Sequence, residues 1–223
     1  MYSITNKALI FALTFLTLQD LSYGQSVPVL FGTTEYKSDE ISAFTKWSEL
    51  RTRHTKEEGL RKGKFKPVRK APCRMTKNFK CVDDEWVEKM SSLKTKTPKE
   101  KLDGVNNHIN QSTYVTDMVN WRKKDYWATL NQFFQRNGDC EDYAIAKYYS
   151  LKELGFSPDQ MRIVVVEDRN LKIAHAVLAV YMNDKIWILD NQISKVVLDD
   201  LIVHYHPLYS INEKSWWLHK KSS

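Results

Sequence analysis

The stretch NGDCEDYAIAKYYSLKELG, from Asn137 to Gly155, predicts a helix whose first turn carries a cysteine among carboxylates. Its apolar residues recur with helical spacing, and a glycine followed by Pro158 ends the pattern. The apolar positions are Ala144, Ile145, Tyr148, Leu151 and Leu154. Gly138 and Asp139 fit the approach to this helix and its N-cap, so Cys140 is predicted at the helix start.

The acidic neighbours of Cys140 conflict with a reactive thiol. A helix N-terminus lowers the pKa of a thiol, whereas the carboxylates of Asp139, Glu141 and Asp142 oppose a thiolate. Either Cys140 is an inert core residue, or something neutralises the carboxylates. A hard divalent cation with oxygen ligands would do so. A solvated acidic cap without a metal is the alternative.

Downstream of this helix the pattern changes to β-branched runs, which predict antiparallel strands over 161–167, 174–182 and 185–191. The last two form a hairpin. If its turn is Asn183 and Asp184, Val177 faces Asp190, and His175 lies diagonal to Asp190 on the same face. A three-residue turn would place His175 and Asp190 on opposite faces. Each residue alone is more typical of a structural role, but together they could supply a base and its orienting group.

The chain before Asn137 is predicted to be mainly helical. Helical spacing covers residues 39–53, 83–93 and 99–115, and Gly104 is expected to interrupt the third helix. Apolar residues at Leu102, Val105 and Ile109 should face inward. Helices followed by strands predict an α+β domain with helices packed on an antiparallel sheet.

Several motifs together resemble a known family. GDCEDYAIAKYYSLKELG, followed by AHAVLAVY and WILDN, is similar to the bacterial transglutaminase-like cysteine proteinases, in particular the periplasmic LapG type. LFGTTE with Trp47, and VNNHIN with DYWATLNQF, extend the resemblance over nearly the whole mature chain. It implies a papain/transglutaminase-like fold with a Cys-His-Asp triad at Cys140, His175 and Asp190.

The resemblance also implies a cofactor, a substrate and a partner. The cofactor is calcium, bound through Asp139, Glu141 and Asp142. The substrate is the N-terminal region of a large surface adhesin, cut near paired alanines, and an inner-membrane c-di-GMP receptor would sequester the protease. Acyl transfer to an amine, as in transglutaminases, and a non-catalytic calcium-dependent binding protein remain alternatives.

An endopeptidase also needs donors for the oxyanion of its intermediate. The backbone N–H of Cys140 is a natural first donor at a helix start. The indole of Trp127 is a second candidate, although a core position suits this residue better.

The first 24 residues are typical of a signal peptide. Lys7 precedes an apolar run from Ala8 to Leu18, and small residues before Gln25 suit cleavage after Gly24. We therefore expect export to the periplasm and a single domain over 25–223, with an uncleaved membrane tether as the alternative. A monomer or a weak dimer is expected.

Three cysteines in an exported chain suggest one pair and one free thiol. Cys73 and Cys81 are separated by a short polar loop, so we expect a disulfide between them and a free Cys140. Three unpaired thiols are the alternative, because spacing alone does not establish the geometry of a bridge.

The excess positive charge of the chain is concentrated in one segment. Between Arg51 and Lys70 there are nine Lys or Arg residues and two Glu, a net charge of +7 that equals the charge of the whole chain. Such a run can bind nucleic acid or anionic lipid, but it has a single aromatic residue and accompanies no nucleic-acid motif. We expect a solvated, partly mobile loop and no nucleic-acid partner.

Overall fold

A seven-stranded antiparallel sheet forms the centre of the domain, in a computed structural model that describes residues 28–61 and 82–221. The strands are β1 Thr33–Ser38, β2 Met161–Asp168, β3 Ile173–Met182, β4 Lys185–Leu189, β5 Val197–Leu198, β6 Tyr205–Ile211 and β7 Trp216–Lys221. Their order across the sheet is β1-β7-β6-β2-β3-β4-β5, and every neighbouring pair is antiparallel.

Helices cover one face of this sheet. They are α1 Thr45–Arg61, α2 Val82–Leu93, α3 Pro98–Ile109, α4 Asp117–Trp121, α5 Leu130–Arg136 and α6 Cys140–Glu153. Helix α6 packs on β2 and β3 and is surrounded by α3 and α5. This central position makes α6 buried around most of its circumference. Among the described residues, none of the helices is long and apolar enough to span a bilayer.

The prediction for α6 is confirmed in its bounds and its buried residues. Cys140 is its first residue, Asp139 is its N-cap, and all five predicted apolar positions lie in the core. After Leu154, Gly155 adopts a φ of +93°, a left-handed conformation that glycine adopts at helix ends. The sequence pattern therefore predicted the element that carries the cysteine.

Two other helix predictions need correction. The first helix begins at Thr45 rather than near Asp39. The third ends at Ile109 and runs without interruption through Gly104. A Cβ at Gly104 would lie 2.5 Å from a methyl carbon of Leu93, so glycine allows α2 and α3 to approach closely. Leu102, Val105 and Ile109 face inward as predicted.

The loop prediction for residues 51–70 is wrong over 51–61, which belong to α1. Arg53 is only partly exposed because its guanidinium donates to Gln132 Oε1 at 2.6 Å and to the Trp127 carbonyl at 2.7 Å. Arg51 donates to the Glu213 carbonyl at 3.0 Å. These hydrogen bonds hold the guanidinium groups of Arg51 and Arg53 against the surface of the domain. Residues 62–70, Cys73, Cys81 and the predicted signal peptide lie outside the described residues.

Candidate active site and metal centre

Cys140 occupies the N-terminus of α6 at the surface of the sheet. Its thiol is half-buried and free, and it donates a hydrogen bond to Glu141 Oε2 at 3.3 Å. The Ala176 backbone in β3 also forms a hydrogen bond with the sulfur. Because Ala176 directly follows His175, the start of α6 and the histidine-bearing strand meet at Cys140.

The β3–β4 hairpin has the predicted register. Leu178 pairs with Leu189, and the turn residues Asn183 and Asp184 both have positive φ, as a type I′ hairpin turn requires. The register brings His175 and Asp190 together, with His175 Nε2 2.9 Å from Asp190 Oδ1. The side chains are 2% and 1% exposed, so the pair is shielded from water.

Asp190 is held by further donors that the sequence did not reveal. The Tyr205 hydroxyl donates to its Oδ2 at 2.6 Å, and the Gln192 backbone N–H donates to its Oδ1 at 2.8 Å. Burial alone would raise the pKa of Asp190, but the bonds from His175, Tyr205 and Gln192 outweigh it and lower the pKa. Asp190 is therefore ionised and fixed against one nitrogen of His175.

The other nitrogen of His175 is left as an acceptor. If Nε2 carries the proton shared with Asp190, Nδ1 has a free lone pair. The side-chain amide of Gln192, which is exposed, lies 3.3 Å from that Nδ1. The imidazole is thus oriented on both sides by residues of the segment that follows β4. Nδ1 is the atom that could accept a proton from a thiol.

A group of carboxylates lies beside Cys140. Asp117, Asp139 and Asp142 each offer an oxygen within 4.8 Å of the others. Each also has one buried oxygen without a hydrogen-bond partner among the described residues, namely Asp117 Oδ1, Asp139 Oδ1 and Asp142 Oδ2. Three neighbouring carboxylates that each keep a buried oxygen without a partner offer the kind of ligand that a hard divalent cation prefers.

The three predicted metal residues do not form one tight group. Asp139 and Asp142 meet Asp117, whereas Glu141 groups with Asp117 and Asp125. Asp117 belongs to both groups and was missed by the sequence analysis. Its position in the first turn of a short helix is typical of any acidic capping residue. Nothing in the local sequence distinguishes a metal ligand from such an acidic capping residue.

The remaining oxygens of the cluster are fixed by backbone donors. The backbone of Ala128 donates to Asp142 Oδ1 at 2.7 Å, and that of Asp117 to Asp139 Oδ2 at 3.1 Å. Tyr126 donates its backbone N–H to Asp117 Oδ2. Asp139 occupies the N-cap but its side chain does not cap α6. These bonds fix one oxygen of each of the three aspartates and leave the other without a partner among the described residues.

Burial without a compensating cation perturbs every acid in this cluster. It raises the pKa of Asp142 to about 9, of Glu141 to about 8 and of Asp117 to about 6, and the neighbouring carboxylates add to each shift. The pKa of Asp139 is also raised, first by burial. A bound divalent cation would relieve this cost, because it favours the ionised form of each ligand. The residues present therefore fit calcium.

The thiol experiences the same environment. Burial raises the pKa of Cys140, and the charge of Glu141 and its hydrogen bond with the thiol raise it further. The lowering expected from the helix N-terminus alone is outweighed. With these side chains only, Cys140 is a neutral thiol turned toward Glu141.

The lack of a side chain at Gly138 leaves room for Asp142 in the carboxylate cluster. A Cβ at this position would lie 2.5 Å from Asp142 Cβ and 2.8 Å from its Cγ, so any side chain here would force Asp142 or the backbone to shift. The Gly138 carbonyl accepts a hydrogen bond from the Val115 backbone at 2.9 Å, so the segment before α4 is tied to the start of α6. Trp127 packs edge-on against Trp47 in the core, as its alternative assignment expected.

A cysteine at a helix start, beside a buried His–Asp pair on an antiparallel sheet, defines the papain/transglutaminase-like class of cysteine proteinase fold. The sequence profile of the family described as bacterial transglutaminase-like cysteine proteinase BTLCP matches residues 67–219. The chain belongs to this family of cysteine proteases.

Solved structures agree with this assignment. Legionella pneumophila LapG is 36% identical, with a TM-score of 0.57 over 61% of this chain and 77% of that one. Its calcium-bound form is 35% identical, with a TM-score of 0.58 over 64% and 82%. An EGTA-treated form is 36% identical, with a TM-score of 0.58 over 64% and 78%. A comparison with curated proteins finds no match.

Proposed function

We propose that this protein is a calcium-dependent cysteine endopeptidase in which Cys140, His175 and Asp190 form the catalytic triad. The observation that carries the proposal is the buried hydrogen bond of 2.9 Å between His175 and Asp190. His175 belongs to the strand that lies next to Cys140, a free cysteine at the start of a helix. Asp190 holds the imidazole with Nε2–H toward itself, so Nδ1 serves as the base.

The proposed reaction uses these atoms in two steps. Nδ1 of His175 takes the proton of the Cys140 thiol, and the thiolate attacks a peptide carbonyl carbon. His175 then gives that proton to the leaving amine, which departs and leaves an acyl thioester. In the second step His175 takes a proton from water, whose oxygen attacks the thioester carbonyl carbon. The C–S bond then breaks, the carboxylic acid product leaves, and His175 returns the proton to the Cys140 sulfur.

The resting hydrogen bonds must change before the first step. Cys140 donates to Glu141, and the Gln192 amide occupies Nδ1 of His175. Calcium, when bound, would supply the positive charge that this cluster of buried acids lacks. Asp117, Asp139 and Asp142 would hold it together with Glu141. A Glu141 carboxylate engaged in this way would no longer accept the hydrogen bond from the Cys140 thiol, and the thiol would be free to donate to His175.

The proposed substrate, location and partner follow from the resemblance to LapG-type proteases. We infer cleavage of the N-terminal region of a large cell-surface adhesin in the periplasm, which would release the adhesin and control biofilm attachment. An inner-membrane c-di-GMP receptor would act as the inhibitor. The family assignment and the likeness to Legionella pneumophila LapG support these inferences.

The test is incubation of the purified protein with the N-terminal region of a large adhesin from the same cell, in calcium and in EGTA. We expect cleavage at one site by the wild type in calcium, and none by Cys140→Ala or in EGTA. Asp103→Asn, which alters a partly exposed carboxylate paired with Lys99, is the matched control and should cleave normally.

Other outcomes identify the alternatives. Mass spectrometry that finds an isopeptide crosslink instead of a cut chain indicates acyl transfer to an amine. Calcium-dependent binding that Cys140→Ala leaves intact, without any cleavage, indicates a non-catalytic binding protein and contradicts the proposal.

A further inference from the structure

Arg53 makes a set of contacts that the proposed mechanism does not use. It lies on α1, and its guanidinium donates to the Tyr126 hydroxyl at 2.5 Å and to the Trp127 carbonyl at 2.7 Å. It also donates to Gln132 Oε1 at 2.6 Å, and its central carbon lies 4.5 Å from the centroid of the Tyr126 ring. The planar guanidinium can satisfy several acceptors and an aromatic face at once. Arg53 therefore joins α1 to the chain around Trp127.

Helix α1 is itself anchored in the core. The side chains of Trp47 and Leu50 are fully buried, and the Trp47 indole donates to the Asn212 carbonyl at 2.9 Å. The Trp47 ring also packs edge-on against Trp127, with their centroids 6.2 Å apart. Arg53 thus extends from a fixed helix toward residues that the same helix already contacts.

The residues that Arg53 binds carry two backbone donors of the carboxylate cluster. They belong to the irregular segment between the end of α4 and the start of α5. The Tyr126 N–H donates to Asp117 Oδ2, and the Ala128 N–H donates to Asp142 Oδ1 at 2.7 Å. These two N–H groups lie on either side of Trp127 in the sequence.

One peptide group connects Arg53 directly to Asp142. The Trp127 carbonyl and the Ala128 N–H belong to the same peptide unit, which is planar and trans. The guanidinium binds the oxygen of this unit at 2.7 Å, and the Asp142 carboxylate binds its N–H, also at 2.7 Å. Because the unit is rigid, a bond that fixes its oxygen also fixes the direction of its N–H.

We propose that Arg53 is a positioning residue of the calcium site, which acts through the Trp127–Ala128 peptide group on Asp142 and through Tyr126 on Asp117. This inference rests on the calcium site of the proposed function. Each aspartate has one oxygen on a backbone donor and a second buried oxygen without a partner among the described residues. Outer contacts that orient ligating carboxylates in this way raise the affinity for a metal.

Positioning and electrostatics predict opposite effects when Arg53 is replaced. A positive charge repels a divalent cation, so its removal alone would strengthen calcium binding. Loss of the contacts to the peptide group would weaken calcium binding, because the two carboxylates would be less well oriented. The sign of the change in affinity therefore distinguishes the two effects.

Two neutral substitutions test this role. Arg53→Met and Arg53→Gln both remove the guanidinium, one with an apolar and one with a polar side chain. Arg51→Met is the matched control, since Arg51 lies on the same helix and donates to a backbone carbonyl, that of Glu213, at 3.0 Å. The measurement is the Kd for calcium by isothermal titration calorimetry, on purified protein that urea unfolding shows to be folded.

We expect calcium to bind both Arg53 variants about tenfold or more weakly than the wild type, and the control to keep the wild-type Kd. A Kd equal to that of the wild type, or lower, in either folded variant overturns the proposal. Arg53→Gln decides the question if Arg53→Met does not fold.

Amide hydrogen exchange in EGTA, followed by NMR, tests the positioning without any metal. The Tyr126 and Ala128 amides should lose protection in both Arg53 variants. The Arg169 amide, which donates to the His204 carbonyl at 3.0 Å in another irregular segment, should keep its protection. Loss of protection at all three amides indicates general destabilisation and overturns the proposal.

The two measurements separate this proposal from the proposed function. If the wild type binds no calcium, the proposed calcium dependence fails, and loss of protection at Tyr126 and Ala128 alone still supports the role of Arg53 toward the carboxylates. If wild type and variants bind calcium equally, the role of Arg53 is overturned and the proposed function stands.

Discussion

Replacing Asp142 by asparagine separates the cost of burying this carboxyl group from its role toward a metal. Asp142 Oδ1 accepts a hydrogen bond from the Ala128 backbone, which an asparagine Oδ1 can also accept. Asp142 Oδ2 is buried and has no partner among the described residues. We therefore expect Asp142→Asn to stabilise the calcium-free protein at pH 7 and to remove most of its stabilisation by calcium.

The magnitude follows from the perturbed acid. Burial raises the pKa of Asp142 from 3.8 to about 9, and one pKa unit corresponds to about 1.4 kcal/mol. The folded state binds the proton more tightly, so the cost is absent below pH 3.8 and grows as the pH rises toward 9. At pH 7 it reaches up to about 4 kcal/mol, which asparagine does not incur.

Urea unfolding measures both effects. In EGTA the variant should exceed the wild type at pH 7 by up to about 4 kcal/mol and show little advantage at pH 4. Calcium at 100 times its Kd should add about 2.7 kcal/mol to the wild type and little to the variant. Asp103→Asn should change neither value by more than about 0.5 kcal/mol. A variant less stable than the wild type in EGTA, or an equal gain from calcium in both, would refute the reasoning.

Three further substitutions test other contacts. Gly138→Ala should cost about 1–3 kcal/mol in urea unfolding and weaken calcium binding, since the added Cβ overlaps Asp142; an unchanged isotherm would contradict this. Tyr205→Phe removes the 2.6 Å bond to Asp190 and should lower kcat roughly ten- to hundredfold with little change in KM; equal kcat would show that the hydroxyl is dispensable. Lys147→Met should raise the free energy of unfolding by up to about 5 kcal/mol near pH 6 and little above pH 10.5, because burial lowers the pKa of Lys147 from 10.5 to about 7; no gain at pH 6 would contradict the burial of a charge.

The His175–Asp190 pair could be predicted because it depends on local geometry. The turn at Asn183 and Asp184 sets the register of β3 and β4, and the alternation of side chains then decides which residues share a face. The α6 prediction succeeded for a similar reason, since its helical spacing and its stop signal are both local in sequence.

The missed features depend on contacts between distant parts of the chain. The backbone N–H of Asp117 donates to the side chain of Asp139, which is 22 positions away in the sequence. No local sequence pattern predicts this contact. Strand β6 contains Pro207 beside a register shift in its pairing with β2, and proline inside a run argues against a strand. The sequence predicts Arg53 in solvent, because it shows neither the Trp127 carbonyl nor the Gln132 side-chain oxygen to which the guanidinium donates.

On the proposed function, calcium at the carboxylate cluster makes Cys140 reactive. The most direct measurement is the rate at which iodoacetamide alkylates Cys140 at pH 7, followed by mass spectrometry of the peptide that contains it, in calcium and in EGTA. We predict that calcium accelerates alkylation of the wild type by about tenfold or more and leaves Asp142→Asn at its EGTA rate. Equal rates for the wild type in the two conditions would contradict the account.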